Sequence, residues 1–110
     1  MKGPDGSTPL LITASKCRAD ICSLLLEKDA DPNIQDGEGN TPLLKVMIYG
    51  YAGIIALLLE KGANPNIQDG EGQTPLLIAA VGGRTDICAL LLENGALSNY
   101  QDGGGQTRPF

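Results

Sequence analysis

The chain of 110 residues is the length of one ordinary domain, and Leu, Ile, Val and Phe supply about a quarter of it, above the roughly one-fifth level typical of disordered chains. Eight basic residues, scattered along the chain, against thirteen acidic ones give a net charge of -5, which repels phosphate backbones and disfavours nucleic acid as a partner. Histidine is absent, which removes imidazole bases, imidazole metal ligands and His-containing triads, and three cysteines behind a start without an apolar stretch argue against a disulfide framework and a signal peptide.

Along the chain one pattern returns at a period of 33 residues. Thr-Pro-Leu-Leu begins at Thr8, Thr41 and Thr74, and Leu-Leu-Leu-Glu begins at Leu24, Leu57 and Leu90. Laid over one another without gaps, 36–68 and 69–101 agree at 19 of 33 positions, and 3–35 agrees with 36–68 at 17. A period of this size marks one supersecondary unit copied in tandem. The expected organisation is a single domain, 1–110, with units 3–35, 36–68 and 69–101 and a partial fourth, 102–110, that stops after its opening loop.

Each unit reads as two helices and a loop. Thr41 offers a hydroxyl to the orphan amides of a helix start, and Pro42 takes the first helical position, where its missing N–H costs nothing. The first helix carries Leu43, Leu44, Val46 and Met47 toward neighbours and stops at Gly50, a residue free to reverse the chain at positive φ. The second spans about Ala52 to Lys61. Its Ile54, Ile55, Leu57, Leu58 and Leu59 cover more than one stripe, as for a helix packed on either side. Gly62 ends it. Ala63-Asn64-Pro65-Asn66 and Asp69-Gly70-Glu71-Gly72 are turn formers, so an extended loop with a tight tip leads to the next Thr-Pro. The longest uncharged run, Val46 to Leu59, has 14 residues, short of the about 20 that span a bilayer.

Such a pair cannot bury its own apolar faces, so the units are expected to stack into an all-α solenoid. The residues resemble the ankyrin repeat family, whose unit runs Asp-x-x-Gly-x-Thr-Pro-Leu-His-x-Ala-Ala, then Gly-His, then Leu-Leu-Leu-x-x-Gly-Ala-Asp-x-Asn. Asp69, Gly72, Thr74, Pro75, Leu76, Ala79, Ala80, Gly83, Leu90, Leu91, Leu92, Gly95, Ala96 and Asn99 stand where that pattern puts them. The resemblance implies an ankyrin-type helix-turn-helix-loop solenoid that binds a partner protein and has no catalysis of its own. Departures are informative. Leu11, Leu44 and Leu77 replace the family's His, exchanging a hydrogen-bonding bridge for apolar burial. Cys17 and Asp29 replace turn glycines, so the first unit either accepts positive φ or turns differently, and is expected to be the least stable. Leu97 and Ser98 replace the usual polar-apolar pair, which would expose Leu97.

In the resembled family, recognition uses the loop tips and the exposed side of the first helix. Position by position this implies partner-binding roles for Glu38, Asn40, Ile48 and Tyr49 of the middle unit and Glu71, Gln73 and Val81 of the third, with Asp5, Ser7 and Lys16 as weaker additions. Ile48 and Tyr49 place apolar and aromatic area where polar residues would be cheaper, as interface anchors do; the alternative is local packing against Tyr51. Asp5, Glu38 and Glu71, one unit apart, make an acidic ridge, read either as a solvated edge or as a site that selects a basic partner surface.

Other patterns have plainer explanations. Cys22 and Cys88 share a register with Ile55 and read as small core hydrophobes, while Cys17 sits at a turn between Lys16 and Arg18, with positive charge but no base. Asp29-x-Asp31-x-Asn33 opens like a calcium loop, but Ile34 stands where Gly is needed and Asn40 where a bidentate Glu should close the shell, so no metal is expected. Gly37-x-Gly39, Gly70-x-Gly72 and Gly103-Gly104-Gly105 lack the Lys of a phosphate cradle and read as turn glycines. In the resembled family the loop Asn can be hydroxylated; Asn33, Asn66 and Asn99 hold that place, with poorly fitting flanks.

No cofactor, membrane or nucleic acid is expected, and the expected compartment is cytoplasmic or nuclear. Two alternatives accompany the binding-module reading. The chain could be the ankyrin segment of a larger regulatory enzyme, channel or ubiquitin ligase adaptor, since Leu10, Leu11, Ile12 and the Ile21 to Leu26 run leave the first unit without a polar outer face. Uncovered ends could equally stack on each other in an end-to-end homodimer.

Overall fold

The structure, a computed structural model, describes residues 6–96. Among these there are six helices and no strand: α1 (Pro9–Ser15), α2 (Ala19–Glu27), α3 (Pro42–Tyr49), α4 (Ala52–Glu60), α5 (Pro75–Val81) and α6 (Thr85–Glu93). They form three antiparallel pairs in a stack, with α1, α3 and α5 packed as one row and α2, α4 and α6 as the other. This is the all-α helix-turn-helix-loop solenoid that the 33-residue period implied.

The local chemistry is the same in each pair. The hydroxyls of Thr8, Thr41 and Thr74 accept from the backbone N–H groups of Leu11, Leu44 and Leu77 at 3.2, 3.2 and 3.3 Å, with proline at the first helical position each time. Second helices close with a residue at positive φ followed by an alanine whose N–H reaches back to Leu25, Leu58 or Leu91 at 3.0, 2.9 and 3.0 Å. At both turns the first pair takes the strained option: Cys17 lies at φ 58 and Asp29 at φ 68, where the later pairs have glycines. The backbone course is kept, and the side chain meets the steric cost of the left-handed region.

Burial follows the stack. Ile54 and Leu58 of the second pair and Ile87 and Leu91 of the third are buried, whereas the equivalent Ile21 and Leu25 of the first are exposed or half-buried, so this set faces the preceding pair. The opposite set faces the following pair. Ala14, Cys22 and Leu26, then Met47, Ile55 and Leu59, are buried, and their counterparts Ala80, Cys88 and Leu92 are not. Cys22 is thus a small core hydrophobe as expected. Cys88 is only half-buried, because its side of the third pair has no described helix against it. Leu11 and Leu44, at the family's His position, are buried, and Leu77 is half-buried for the same reason as Cys88.

Loops are joined by a polar lattice. Asn33 donates from Nδ2 to the Gly62 carbonyl at 3.2 Å and accepts at Oδ1 from the Asn64 N–H at 2.7 Å; Asn66 donates to the Gly95 carbonyl at 3.1 Å. Gln35 Nε2 donates to the Gly39 and Gln68 carbonyls at 2.7 and 2.9 Å. At the tips, one carboxylate oxygen of Asp36 accepts from the N–H groups of Glu38 and Asn40, and Asp69 does the same for Glu71 and Gln73. The Gly70 N–H donates to the Glu38 carbonyl at 3.0 Å, fastening one tip to the next.

Two substitutions have opposite expected signs. Cys17→Gly relieves a left-handed residue at a cost of about 1–2 kcal/mol, of which added unfolded-state freedom returns about 0.5–1, so stability rises by up to about 1 kcal/mol. In Gly39→Ala the new Cβ would lie 2.6 Å from the Gly70 nitrogen at φ 83, so the tips must separate. A loss of about 2 kcal/mol or more is expected from strain plus the broken tip contact. Urea titration monitored by circular dichroism reads both; a lower midpoint for Cys17→Gly, or an unmoved one for Gly39→Ala, contradicts this account.

Candidate protein-binding face

The row α1, α3 and α5 and the loop tips enclose two grooves, one over each junction between pairs. The groove between the second and third pairs, about 400 Å³, is lined by Glu38, Asn40, Leu44, Ile48, Asp69, Gly70, Glu71, Gln73 and Ile78. The groove between the first and second, about 540 Å³, is lined by Ser7, Leu11, Ile12, Ser15, Lys16, Asp36, Gly37, Glu38 and Lys45. Leucines of the Thr-Pro-Leu-Leu motif form part of each floor, so the same short helix supplies core on one side and groove on the other.

Five of the seven partner-binding residues expected from the sequence, Glu38, Asn40, Ile48, Glu71 and Gln73, line the first of these grooves together. Ser7 and Lys16 line the second. Tyr49 and Val81 line neither. Tyr49 is the last residue of α3, and its ring stacks on that of Tyr51 with centroids 5.2 Å apart and planes at 14°, yet the residue stays half-exposed. The local packing against Tyr51 is thus present. Val81 ends α5 and is 88 % exposed. Asp5, Leu97, Ser98 and Asn99 lie outside the described residues.

Sequence reasoning missed Ile12, Lys45 and Ile78. These occupy one position repeated at 33, three residues before Ser15, Ile48 and Val81; Ile12 and Ser15 line the same groove, whereas Lys45 and Ile48 line different ones. The helical period applied to Ile48 would have found them. The bridging roles of Asn33, Gln35 and Asn66 were also missed, although Asn-Ile-Gln recurs at the same interval.

Among the described residues the charges on this face form no ion pair. The ion pair found among the described residues is Arg84 with Asp86 at 3.4 Å, on exposed side chains; hydrogen bonding from the guanidinium lowers the Asp86 carboxyl from its ordinary value. Glu38 and Glu71 are exposed at successive tips, forming the described part of the acidic ridge. Among the described residues no group of three or more His, Cys, Asp or Glu is placed to hold a metal ion, and Asp31 in the calcium-like segment accepts from the Asn33 N–H at 2.9 Å, as a turn residue does. No described helix is long and apolar enough to cross a membrane. The arrangement offers shape, apolar floor and charge for docking.

A family model for ankyrin repeats, in three copies, matches residues 10–102 of the chain. No curated protein matches it.

The thiols differ in access. Cys17 is exposed at the turn after α1, whereas Cys22 is buried, with its sulfur 3.4 Å from the Thr13 hydroxyl. Burial pushes the Cys22 thiol up, outweighing the lowering by the Thr13 contact. In mildly alkaline buffer, iodoacetamide is expected to alkylate Cys17 first and to reach Cys22 only when the stack opens. Mass spectrometry of timed digests checks the order; equal rates at the two sites contradict the burial of Cys22.

Proposed function

The chain belongs to the ankyrin repeat family, and we propose that it is a non-catalytic module that holds a partner protein across its loop tips and concave helix face, the acidic tips meeting a basic surface on the partner. Ankyrin repeats are generally protein–protein interaction modules and generally non-catalytic. The observation that carries the reading for this chain is the convergence of Glu38, Asn40, Ile48, Glu71 and Gln73 on one groove with an apolar floor. The tips bearing them are already fastened to one another through Asp36, Asp69 and the Gly70 to Glu38 bond, so little ordering entropy is lost on docking. Acidic charge on this face selects against nucleic acid and anionic lipid. The free thiols suit a reducing compartment, cytoplasmic or nuclear.

A larger context is the second reading. Ile21 and Leu92 are 42 % and 47 % exposed at positions that are buried in the middle pair, Ile54 and Leu59. That suits further units of a longer regulatory protein, or end-to-end self-association.

Affinity capture from a native lysate tests the first reading with two baits, the unaltered chain and the triple variant Glu38→Ala, Ile48→Ala, Glu71→Ala. All three side chains are exposed, so the thermal transition is expected to stay in place while the proteins held by the unaltered chain are lost. Retention of the same partners by the folded variant would overturn the assignment of this face.

A further inference from the structure

The two grooves carry different charge, and this bears on the kind of segment they accept. We propose that together they form a two-pole slot for one extended segment of the partner, with a Lys or Arg of that segment seated between the second and third pairs and an Asp or Glu three to four residues away seated between the first and second. The proposal rests on the protein-binding reading above and deepens it.

Three observations carry it. First, the groove between the second and third pairs is lined by Leu44, Ile48 and Ile78 together with Glu38, Asp69 and Glu71, and no basic residue among the described ones lines it. A Lys or Arg stem lies well on two isoleucines while its head reaches the rim. Second, the neighbouring groove keeps an apolar floor in Leu11 and Ile12 but has Lys16 and Lys45 on its walls. Its Asp36, like Asp69 of the first groove, has one oxygen accepting from two tip N–H groups and keeps its charge, and Glu38 is shared, so this groove sets two lysines beside two carboxylates where the first has carboxylates alone. The difference follows from the repeat: the position that holds Ile12 and Ile78 holds Lys45 in the middle pair, and the position of Lys16 is Tyr49 and then Gly82. Third, none of Glu38, Glu71, Lys16 and Lys45 forms an ion pair with another described residue, so docking breaks no internal pair.

The spacing of the grooves suits an extended segment. Grooves of about 400 and 540 Å³ each take a short stretch of chain with its side chains, and Glu38 lines both, so they are contiguous. Successive layers of packed helices lie about 10 Å apart, which an extended chain at about 3.3 Å per residue covers in three residues. Charges at such an exposed rim set the direction and choice of segment more than its affinity, the apolar contacts supplying the rest.

Panning a phage-displayed library of random dodecapeptides on the full chain tests the proposal. The expected selection is Lys or Arg beside Leu, Ile or Val, with Asp or Glu three or four positions away in one consistent order. Glu71→Lys should weaken the selected peptides by about tenfold or more through like-charge opposition. The double variant Lys16→Glu with Lys45→Glu should lose the preference for the Asp or Glu of the segment while keeping that for its Lys or Arg, a selective change that an unfolded protein cannot give. Selected peptides without the charge pair that are still lost on Ile48→Ala would overturn the two-pole slot and leave the binding face standing. Peptides indifferent to Ile48→Ala would remove both. An absence of any enrichment would overturn the slot.

Discussion

A helix of seven to nine residues has about two turns and no useful stability in water, and every helix described in this chain is of that length. Contact between successive pairs therefore has to supply what the helices lack. The burial pattern shows how completely it does so: Leu43, Leu44, Val46, Ile54, Ile55 and Leu58 of the middle pair are at most 2 % exposed, because a pair lies on either side. Each buried aliphatic side chain of this kind contributes about 1.5–3 kcal/mol, set against an ordering cost of similar total size. The lattice of Asn33, Gln35, Asn66 and the tip glycines fixes the distance between layers, which sets the geometry of everything on the surface.

The grooved face is a consequence of that regularity. Positions of the first helix such as Ile12, Lys45 and Ile78 meet the loop tips across an open groove, once per junction, and the side chains there are exposed or only partly buried. Exchange of Ile for Lys at one such position, Lys45 between Ile12 and Ile78, changes the electrostatics of one groove and leaves the stack untouched. A carboxylate at Glu38 or Glu71 works the same way from the tip side. Recognition in this architecture is written on a scaffold that does not have to move, so charge and shape can be set one residue at a time.

Much of this was legible in the sequence because a tandem repeat states each physical requirement three times. Thr-Pro at 33-residue intervals gave the helix starts, and Gly50 and Gly62 gave the turns, since a capping hydroxyl, a fixed φ and a positive φ are local properties. Cys17 and Asp29 marked the places where the first pair had to accept strain, and it does. Less legible was anything that depends on a neighbour in space. Tyr49 was expected by position among the groove residues, but it stacks on Tyr51 and lines neither groove. The half-burial of Cys88 and Leu77 reflects which side of the pair they occupy, which no single unit reveals. The groove linings at Lys45 and Ile78, and the bridges from Asn33 and Gln35, needed two units at once to be seen.

The claim beneath all of this is that no helix pair holds its shape without the pair beside it. Far-ultraviolet circular dichroism of an isolated peptide of residues 36–68, recorded in water across a temperature ramp, tests it most directly. The account requires a largely unstructured spectrum with no cooperative transition, alongside a helical spectrum and a single transition for the whole chain. A helical peptide that melts cooperatively by itself would contradict it.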